Sequence, residues 1–213
     1  MKTLPPRIRR TGVFLSGAAV LAAVVVAAMH SSGRHLASAA PPKSKAARHT
    51  PVRFTADGEL VQPTGYRKWP YVGTPLTPHD MNGGKAAFPE FHNVYIDPAA
   101  FDVYEETGEF PDGTVLVKEL VSVGSKQASS GKGYFMGEFI GLEVSLKDRA
   151  RFNDEAGNWA FFSFGHEYPL AATAKPQPAA NCSACHGNLA DKDYVFTQYY
   201  PVLRAAEGSL KPK

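Results

Sequence analysis

The stretch of sequence that decides the fold is GTVLVKELVSVG, residues 113–124. Its side chains alternate between two faces of a predicted strand, with Val115, Val117, Val121 and Val123 on one face and Leu116, Lys118 and Leu120 on the other. Because both faces are apolar apart from one lysine, the pattern predicts a strand that is covered on both sides. An ammonium group is costly to bury alone, so the residues themselves favour a Lys118 that extends to the sheet edge or pairs with a carboxylate such as Glu119 or Glu138.

A second long strand is predicted by the same alternation in YFMGEFIGLEVSLKD, residues 134–148. One face would hold the mostly apolar set Tyr134, Met136, Ile140, Leu142, Val144 and Leu146. The other face would hold Phe135 and Phe139 together with Glu143. The residues leave two interpretations of Glu143 open: a solvated carboxylate near a strand end, or a carboxylate whose proton affinity is raised by a poorly hydrated aromatic surface.

Shorter elements complete the predicted fold. Two further strands are indicated by their composition, HNVYID (residues 92–97) and NWAFFSF (residues 158–164). Asp97 followed by Pro98 is typical of the start of a helix, here AAFDVYEETG, and Asp193 is predicted to cap a helix in DYVFTQYY. Leu146–Asn153 is predicted as one more short helix. The fold class is therefore mainly β (α+β): an antiparallel β-sheet domain with a few helices, one of them near the cysteines.

The first residues have the pattern of an export signal. A basic start precedes the weakly apolar run Val13–Met29, and a small-residue cleavage site follows at Ala37-Ser38-Ala39, with Val26-Ala27-Ala28 as a second candidate. We therefore expect residues 1–39 to be a signal peptide, or an uncleaved membrane anchor, of a periplasmic protein. Residues 40–51 have the composition of a flexible linker, and residues 52–213 are expected to form one domain.

The charge of the domain differs from that of the whole chain. The chain has a formal net charge of +3, but residues 1–50 contain eight of the 23 Lys and Arg side chains and none of the 20 Asp and Glu side chains. The remaining residues therefore have a net charge of −5, and no basic cluster among them predicts nucleic-acid binding. About 160 residues, rich in Phe, Tyr, Val and Leu, are enough for one domain with its own core.

Both cysteines of the chain lie in NCSACHG, residues 181–187, as a C-x-x-C-H motif. A disulfide across so short a loop would restrain little of the unfolded chain. A thioredoxin-like redox pair is expected after an early strand of a βαβ unit, and a structural zinc site would need a further ligand cluster nearby. A c-type haem uses every residue of the motif: Cys182 and Cys185 bond to the haem vinyl groups, and His186 becomes the proximal iron ligand.

The sixth position of such an iron is either occupied, as in an electron carrier, or open for chemistry. The candidate ligands in the domain are Met81, Met136, His79, His92 and His166. Met136 is predicted on an apolar strand face, and the histidines lie at turns or strand ends, where surface or hydrogen-bonding roles are usual. Electron-carrier cytochromes c are also mostly helical and shorter than this domain. The sequence therefore favours an open site.

Several long blocks of the chain resemble the cytochrome P-460 family, β-rich periplasmic mono-haem c proteins of bacteria that oxidise hydroxylamine or methane. The resemblance runs from about Phe54 to Arg204 and includes GTPLTPHDMNGGKAAFPEFHNVYIDP, TGEFPDGTVLVKELVSVG, FMGEFIGLEVSLKD, GNWAFFSF and CSACH with VFTQYYPVLR. In that family the lysine of the V-K-E-L-V strand is bonded through its side-chain nitrogen to a meso carbon of the haem. The resemblance implies the same additional cross-link for Lys118.

The resemblance also implies an activity. The family's iron is five-coordinate, with the motif histidine as proximal ligand, and hydroxylamine binds on the distal side. A distal carboxylate is thought to handle protons there, and its position here is Glu143. We therefore expect hydroxylamine oxidation, with nitrous oxide, or nitric oxide and nitrite, as products.

Two other functions stay open at this stage. Cytochrome c-prime beta shares the fold, lacks the cross-linking lysine and binds nitric oxide, and a simple electron-transfer cytochrome c is the other alternative. Lys118 favours the enzyme over the nitric-oxide-binding protein. The implied partners are a soluble electron acceptor, such as another cytochrome c, and a second copy of the chain in a homodimer.

Overall fold

The computed structural model describes residues 51–209. Within this range the strands are β1 (Leu60–Val61), β2 (Tyr71–Gly73), β3 (Phe91–Ile96), β4 (Val115–Val123), β5 (Gln127–Ala128), β6 (Gly131–Lys132), β7 (Met136–Lys147), β8 (Trp159–Ser163) and β9 (Thr173–Ala174). The α-helices are α1 (Pro98–Thr107), α2 (Ser183–Leu189) and α3 (Pro201–Ser209). None of the helices in the described part of the chain is long and apolar enough to cross a membrane. The predicted leader, residues 1–39, and nearly all of the predicted linker lie outside the described residues.

Five strands form one antiparallel sheet in the order β2-β3-β4-β7-β8. The four strands predicted from alternation and composition correspond to β3, β4, β7 and β8, and the mainly β fold with a few helices is confirmed. Two short ribbons, β1 with β9 and β5 with β6, lie outside this sheet. The centre of the sheet is therefore β4, the strand in GTVLVKELVSVG.

Strand β4 is covered on both faces, as its sequence predicts. On one face Leu116 packs into a core with α1 and α3, and this face, which also holds Lys118 and its cross-strand neighbour Glu143, is called the cavity face below. On the other face Val115 and Val117 pack into a second core, and this side is called the back face. Because successive residues of a strand point to opposite faces, Lys118 and Glu119 lie on different sides of the sheet.

A β-bulge interrupts the pairing of β4 with β7. The register is regular as far as Leu120 opposite Gly141, but Val121 then lies opposite Phe139, so Ile140 is an extra residue in β7. The extra residue shifts the alternation, and the Phe139 ring lies on the back face, 4.3 Å from the Arg67 guanidinium. The prediction that Phe139 shares a face with Glu143 is therefore wrong.

A buried carboxylate is held on the back face directly behind the cavity. Glu119 is 1% exposed, and its Oε1 accepts hydrogen bonds from the Tyr66 hydroxyl at 2.6 Å and from Nε and Nη2 of Arg67 at 2.9 and 2.5 Å. Burial raises the pKa of the Tyr66 phenol, and the Glu119 carboxylate raises it further, so the hydroxyl keeps the proton that it donates.

Helix α1 begins as its sequence predicts. Oδ1 of Asp97 accepts from the Ala100 amide at 2.9 Å, and Pro98 is the first helical residue. Oδ2 of the same carboxylate accepts from the Val115 amide at 2.8 Å, which joins the start of the helix to the start of β4. Gly108 ends the helix with a φ of 72°, a conformation that glycine adopts without strain.

Two predicted helices are wrong. In Leu146–Asn153 the first two residues still belong to β7, and the Asp148 side chain then accepts from the Ala150 and Arg151 amides, which forms a turn. In DYVFTQYY, Asp193 caps no helix, because the backbone there has a positive φ and its carboxylate binds Lys147 and Trp159. Only a single 3-10 turn forms, at Thr197–Tyr199, and helix α3 begins at Pro201, since proline is favoured at a first helical position.

Candidate functional site

One cavity of about 540 Å³ lies between the cavity face of the sheet and the segment that follows Gln177. The site residues predicted from the sequence all line it: Lys118, Glu143, Cys182, Cys185 and His186. The cavity size is within the range of roughly 300–1,000 Å³ that is usual for cofactor and small-molecule sites. The fold therefore brings together residues that lie far apart in the sequence, whereas the role of each stays a prediction.

Lys118 and Glu143 are direct neighbours on the sheet. They lie opposite each other in the antiparallel pairing of β4 with β7, so their side chains point to the same face. The Lys118 ammonium forms an ion pair with Oε2 of Glu143, and the two side chains are 26% and 25% exposed. Lys118 thus pairs with a carboxylate, as expected, but with neither of the two suggested partners, because Glu119 points to the back face and β7 places Glu143 opposite the lysine.

The second oxygen of Glu143 contacts a histidine. Nε2 of His166 lies 3.0 Å from Oε1, and the histidine side chain is 53% exposed, so it connects the carboxylate to solvent. Burial alone raises the pKa of the Glu143 carboxyl, but Lys118 and His166 offset it by more, and the resulting pKa lies below the ordinary value. While Lys118 is an ammonium group, the interpretation of Glu143 as a carboxylate of raised proton affinity is therefore wrong, and Glu143 is ionised at neutral pH.

The two cysteines lie at the start of helix α2. Cys182 immediately precedes the helix and Cys185 lies in its first turn, a spacing of three residues that puts both side chains on one side of the helix. Both are free thiols and both line the cavity. Burial raises the pKa of the Cys182 thiol, so this residue is protonated at neutral pH.

His186 is held by two aromatic rings and one backbone carbonyl. Its ring centroid lies 4.3 Å from that of Phe161 in β8 and 4.7 Å from that of Phe196. Nδ1 donates to the Tyr194 carbonyl at 2.7 Å, which assigns the ring proton to Nδ1 and leaves the lone pair of Nε2 free. Burial lowers the pKa of the imidazole below its ordinary value, so His186 is neutral and able to bind a metal.

The five candidate sixth ligands are in different places. Met81 and Met136 are exposed, and neither they nor His79 line the cavity. His92 and His166 do line it, but His166 contacts Glu143. Nε2 of His92 is buried without a hydrogen bond, 3.4 Å from Oε1 of Glu90.

The residues of the cavity fit a haem c. Aromatic side chains supply apolar surfaces for a flat ring: Phe88, Phe161, Phe196, Tyr194, Tyr199 and Tyr200. Two free thiols at the start of α2 are available for thioether bonds, and the neutral imidazole of His186 is available for the iron. Within residues 51–209, no group of three or more His, Cys, Asp and Glu side chains could hold a metal ion, so an iron would need the porphyrin nitrogens as well.

Three contributors to the site were missed by the sequence reasoning. His166 was considered only as an iron ligand, whereas it contacts Glu143 from a loop after β8. Phe161 was predicted only as a strand residue, whereas its ring packs against the His186 ring. The Tyr194 carbonyl had no sequence signal, because a backbone acceptor is independent of residue type, although the aromatic residues after the motif suggest a segment that packs near it.

Comparison with known families agrees with this geometry. The family model of cytochrome P460 matches residues 63–197, more than half of the 213-residue chain, and it spans β2 to β9, helix α2 and all five predicted site residues. No match is found among curated proteins. The family implies a haem c and suggests a haem enzyme. On the strength of this match, the chain belongs to the cytochrome P460 family.

Proposed function

We propose that the protein is a periplasmic mono-haem c enzyme that oxidises hydroxylamine, to nitrous oxide or to nitric oxide and nitrite. The observation that supports this function best is that Lys118 and Glu143 lie side by side in the cavity that His186 also lines. A bound haem c would supply an iron that binds hydroxylamine and accepts its electrons.

Cofactor attachment is assigned to the segment around helix α2. The thiols of Cys182 and Cys185 would each add their S–H across a haem vinyl group, which forms a thioether without net oxidation or reduction. Nε2 of His186 would bind the iron, since Nδ1 keeps its proton on the Tyr194 carbonyl. If haem can be extracted from the matured protein with acidified acetone, this assignment is wrong.

Lys118 is proposed as a third covalent attachment. Its amine lies on the cavity face, next to Glu143 and 5.7 Å from the centroid of the Phe88 ring. A bond from this nitrogen to a haem meso carbon would replace one N–H bond and the meso C–H bond, and it would release two protons and pass two electrons to an oxidant such as a peroxide. It would also remove the ammonium charge and end the ion pair with Glu143. The peptide that contains Lys118 should therefore carry the haem mass after digestion, and an unmodified peptide in mature protein would exclude the cross-link.

Glu143 is proposed as the base that receives protons from hydroxylamine. Oxidation of hydroxylamine releases protons as well as electrons, and an ionised carboxylate in the cavity can accept them. His166 contacts the same carboxylate at 3.0 Å and is half exposed, so it gives the proton a route to solvent. In this scheme Glu143 accepts the proton from the substrate. His166 positions Glu143 and passes that proton on to solvent.

The proposed partners are a soluble electron acceptor, such as another cytochrome c, and a second copy of the chain. A patch of exposed apolar side chains on the back face suits an interface between copies. Phe139 and Met136 are about half exposed in β7, and the Met136 sulfur lies 3.8 Å from Nδ2 of Asn93. Sedimentation analysis of wild type and Phe139→Glu would test the dimer, which should dissociate in the variant.

The experiment that tests the activity adds hydroxylamine and an artificial electron acceptor to the ferric protein and follows acceptor reduction. Glu143→Gln keeps the shape of the side chain but removes the base, and we expect a loss of turnover by about 10² or more, with hydroxylamine binding retained. Glu138→Gln is the matched control, because Glu138 is an exposed carboxylate of the same strand outside the cavity lining. Equal turnover in both variants would remove Glu143 from the mechanism.

The wild type itself decides between the proposed functions. Absence of hydroxylamine turnover together with tight nitric oxide binding would favour a nitric-oxide-binding protein of the cytochrome c-prime beta type. A ferric iron that binds no added ligand would favour a simple electron carrier.

A further inference from the structure

The turn at Asp193 and Tyr194, called the proximal turn below, has an unusual backbone. Both residues are non-glycine and have a positive φ, 44° at Asp193 and 63° at Tyr194. This left-handed region is costly for L-residues with a side chain, so such a pair persists only where surrounding contacts hold it. The two residues lie seven and eight positions after His186. The Tyr194 ring lines the cavity but Asp193 does not, which raises the question of what the Asp193 contacts secure.

Two neighbouring strands hold the Asp193 carboxylate. Oδ2 accepts from Nζ of Lys147 in β7 at 2.6 Å, and Oδ1 accepts from Nε1 of Trp159 in β8 at 3.1 Å. Lys147 and Trp159 are cross-strand partners, and Nζ of Lys147 also donates to the Phe110 carbonyl at 3.0 Å. Both carboxylate oxygens are thus fixed to the rigid sheet.

The Tyr194 ring is enclosed between two glycines. A Cβ atom at Gly157, in the connection between β7 and β8, would lie 2.7 Å from the ring, and one at Gly187, directly after His186, would lie 2.8 Å from it. No side chain larger than hydrogen fits at either position without moving the ring. The proximal turn is therefore packed against both the sheet and the helix that contains His186.

The result of these contacts is one short hydrogen bond. The Tyr194 carbonyl accepts the Nδ1 proton of His186 at 2.7 Å. We propose that Asp193 is a positioning residue: held by Lys147 and Trp159, it fixes the Tyr194 carbonyl on Nδ1 of His186, and so sets the strength of the bond from His186 to the iron. This inference rests on the proposed haem c site. A hydrogen bond at Nδ1 makes the imidazole a stronger ligand, which stabilises the ferric iron and resists loss of the histidine.

Two variants with opposite charge changes test the proposal in the haem-loaded protein. Asp193→Asn removes a negative charge and Lys147→Met removes a positive one, yet both release the proximal turn. We expect both to raise the reduction potential and lower the iron–histidine stretching frequency in resonance Raman spectra of the ferrous protein. Nitric oxide should detach His186 faster in both, by about tenfold or more. Lys147→Arg should restore the wild-type values.

A matched control separates positioning from charge and from folding. Glu207→Gln removes the charge that pairs with Lys192, next to the proximal turn, and leaves the hydrogen bond from Nζ of Lys192 to the Gly108 carbonyl in place, so the stretching frequency should be unchanged. Gly187→Ala displaces the Tyr194 ring without changing any charge and should act like Asp193→Asn, so the test does not depend on one variant. The proposal would be overturned if the reduction potential and the iron–histidine stretching frequency moved in opposite directions in Asp193→Asn and Lys147→Met. It would also be overturned if neither quantity changed in the variants that fold. These measurements need bound haem but no hydroxylamine turnover, so the failure of the proposed activity remains distinguishable.

Discussion

The change Arg67→Met should destabilise the protein strongly, although Arg67 is 53% exposed. The substitution removes both guanidinium donors from Glu119 and leaves a 1% exposed carboxylate with the Tyr66 hydroxyl alone. Breaking a buried ion pair costs about 3–5 kcal/mol, and we expect the lower end, about 3 kcal/mol, because water reaches the arginine side. For a domain of this size that corresponds to a melting temperature about 10 °C lower.

Thermal and urea unfolding of the haem-loaded protein measures this effect. Arg67→Met combined with Glu119→Gln should recover most of the loss, since the double variant leaves no buried charge unpaired.

The control is an ion pair at the surface. Lys126→Met breaks the pair with Asp80, whose two side chains are 57% and 45% exposed, and should cost less than about 1 kcal/mol. A loss in Arg67→Met no greater than that in the control, or no recovery in the double variant, would refute the role of buried charge.

Two further changes have measurable outcomes. Asp97→Ala leaves the Ala100 and Val115 amides without their acceptor, so the free energy of unfolding should fall by about 2–3 kcal/mol in urea titrations, and a loss below about 1 kcal/mol would contradict the capping role. His166→Gln removes a group that lowers the pKa of Glu143 against the effect of burial, so this pKa should rise. The acid limb of the pH profile of hydroxylamine turnover should then move to higher pH. An unmoved limb would exclude His166 from the proton route.

The sheet could be predicted because alternation is a local property of each strand. Residues such as Leu116 and Val117 show in sequence which faces of β4 are apolar, and the structure confirms that both are covered. The bulge at Ile140 could not be predicted in this way, since it depends on how β7 pairs with β4. At Gly141 an added Cβ would lie 2.8 Å from the Gly165 carbonyl oxygen, a close approach with no local signature. The position of Phe139 was therefore misjudged, whereas Glu143, beyond the bulge, was not.

The candidate site also has features that follow from local sequence and features that depend on the tertiary fold. The C-x-x-C-H motif is continuous, so its chemistry can be inferred from the sequence, and Lys118 and Glu143 followed from the family resemblance. Their contact depends on strand register, and the contact of Glu143 with His166 depends on a loop after β8. Asp193 was interpreted as a helix cap because an acidic residue precedes an aromatic run, yet its partners lie 46 and 34 residues away in the chain. Such distant partners leave no trace in a local pattern.

The two sides of the cavity come from different parts of the chain, so a substitution on one side can leave the residues of the other side unchanged. Cys182, Cys185 and His186 belong to one continuous segment with its own supporting turn, whereas Lys118 and Glu143 project from the sheet. If the proposed site is correct, a substitution at Lys118 or Glu143 would change the chemistry on the sheet side of the cavity and leave the two thioether positions, Cys182 and Cys185, unchanged. The scaffold could therefore diversify by single substitutions in two strands, with the C-x-x-C-H segment and its supporting turn unchanged.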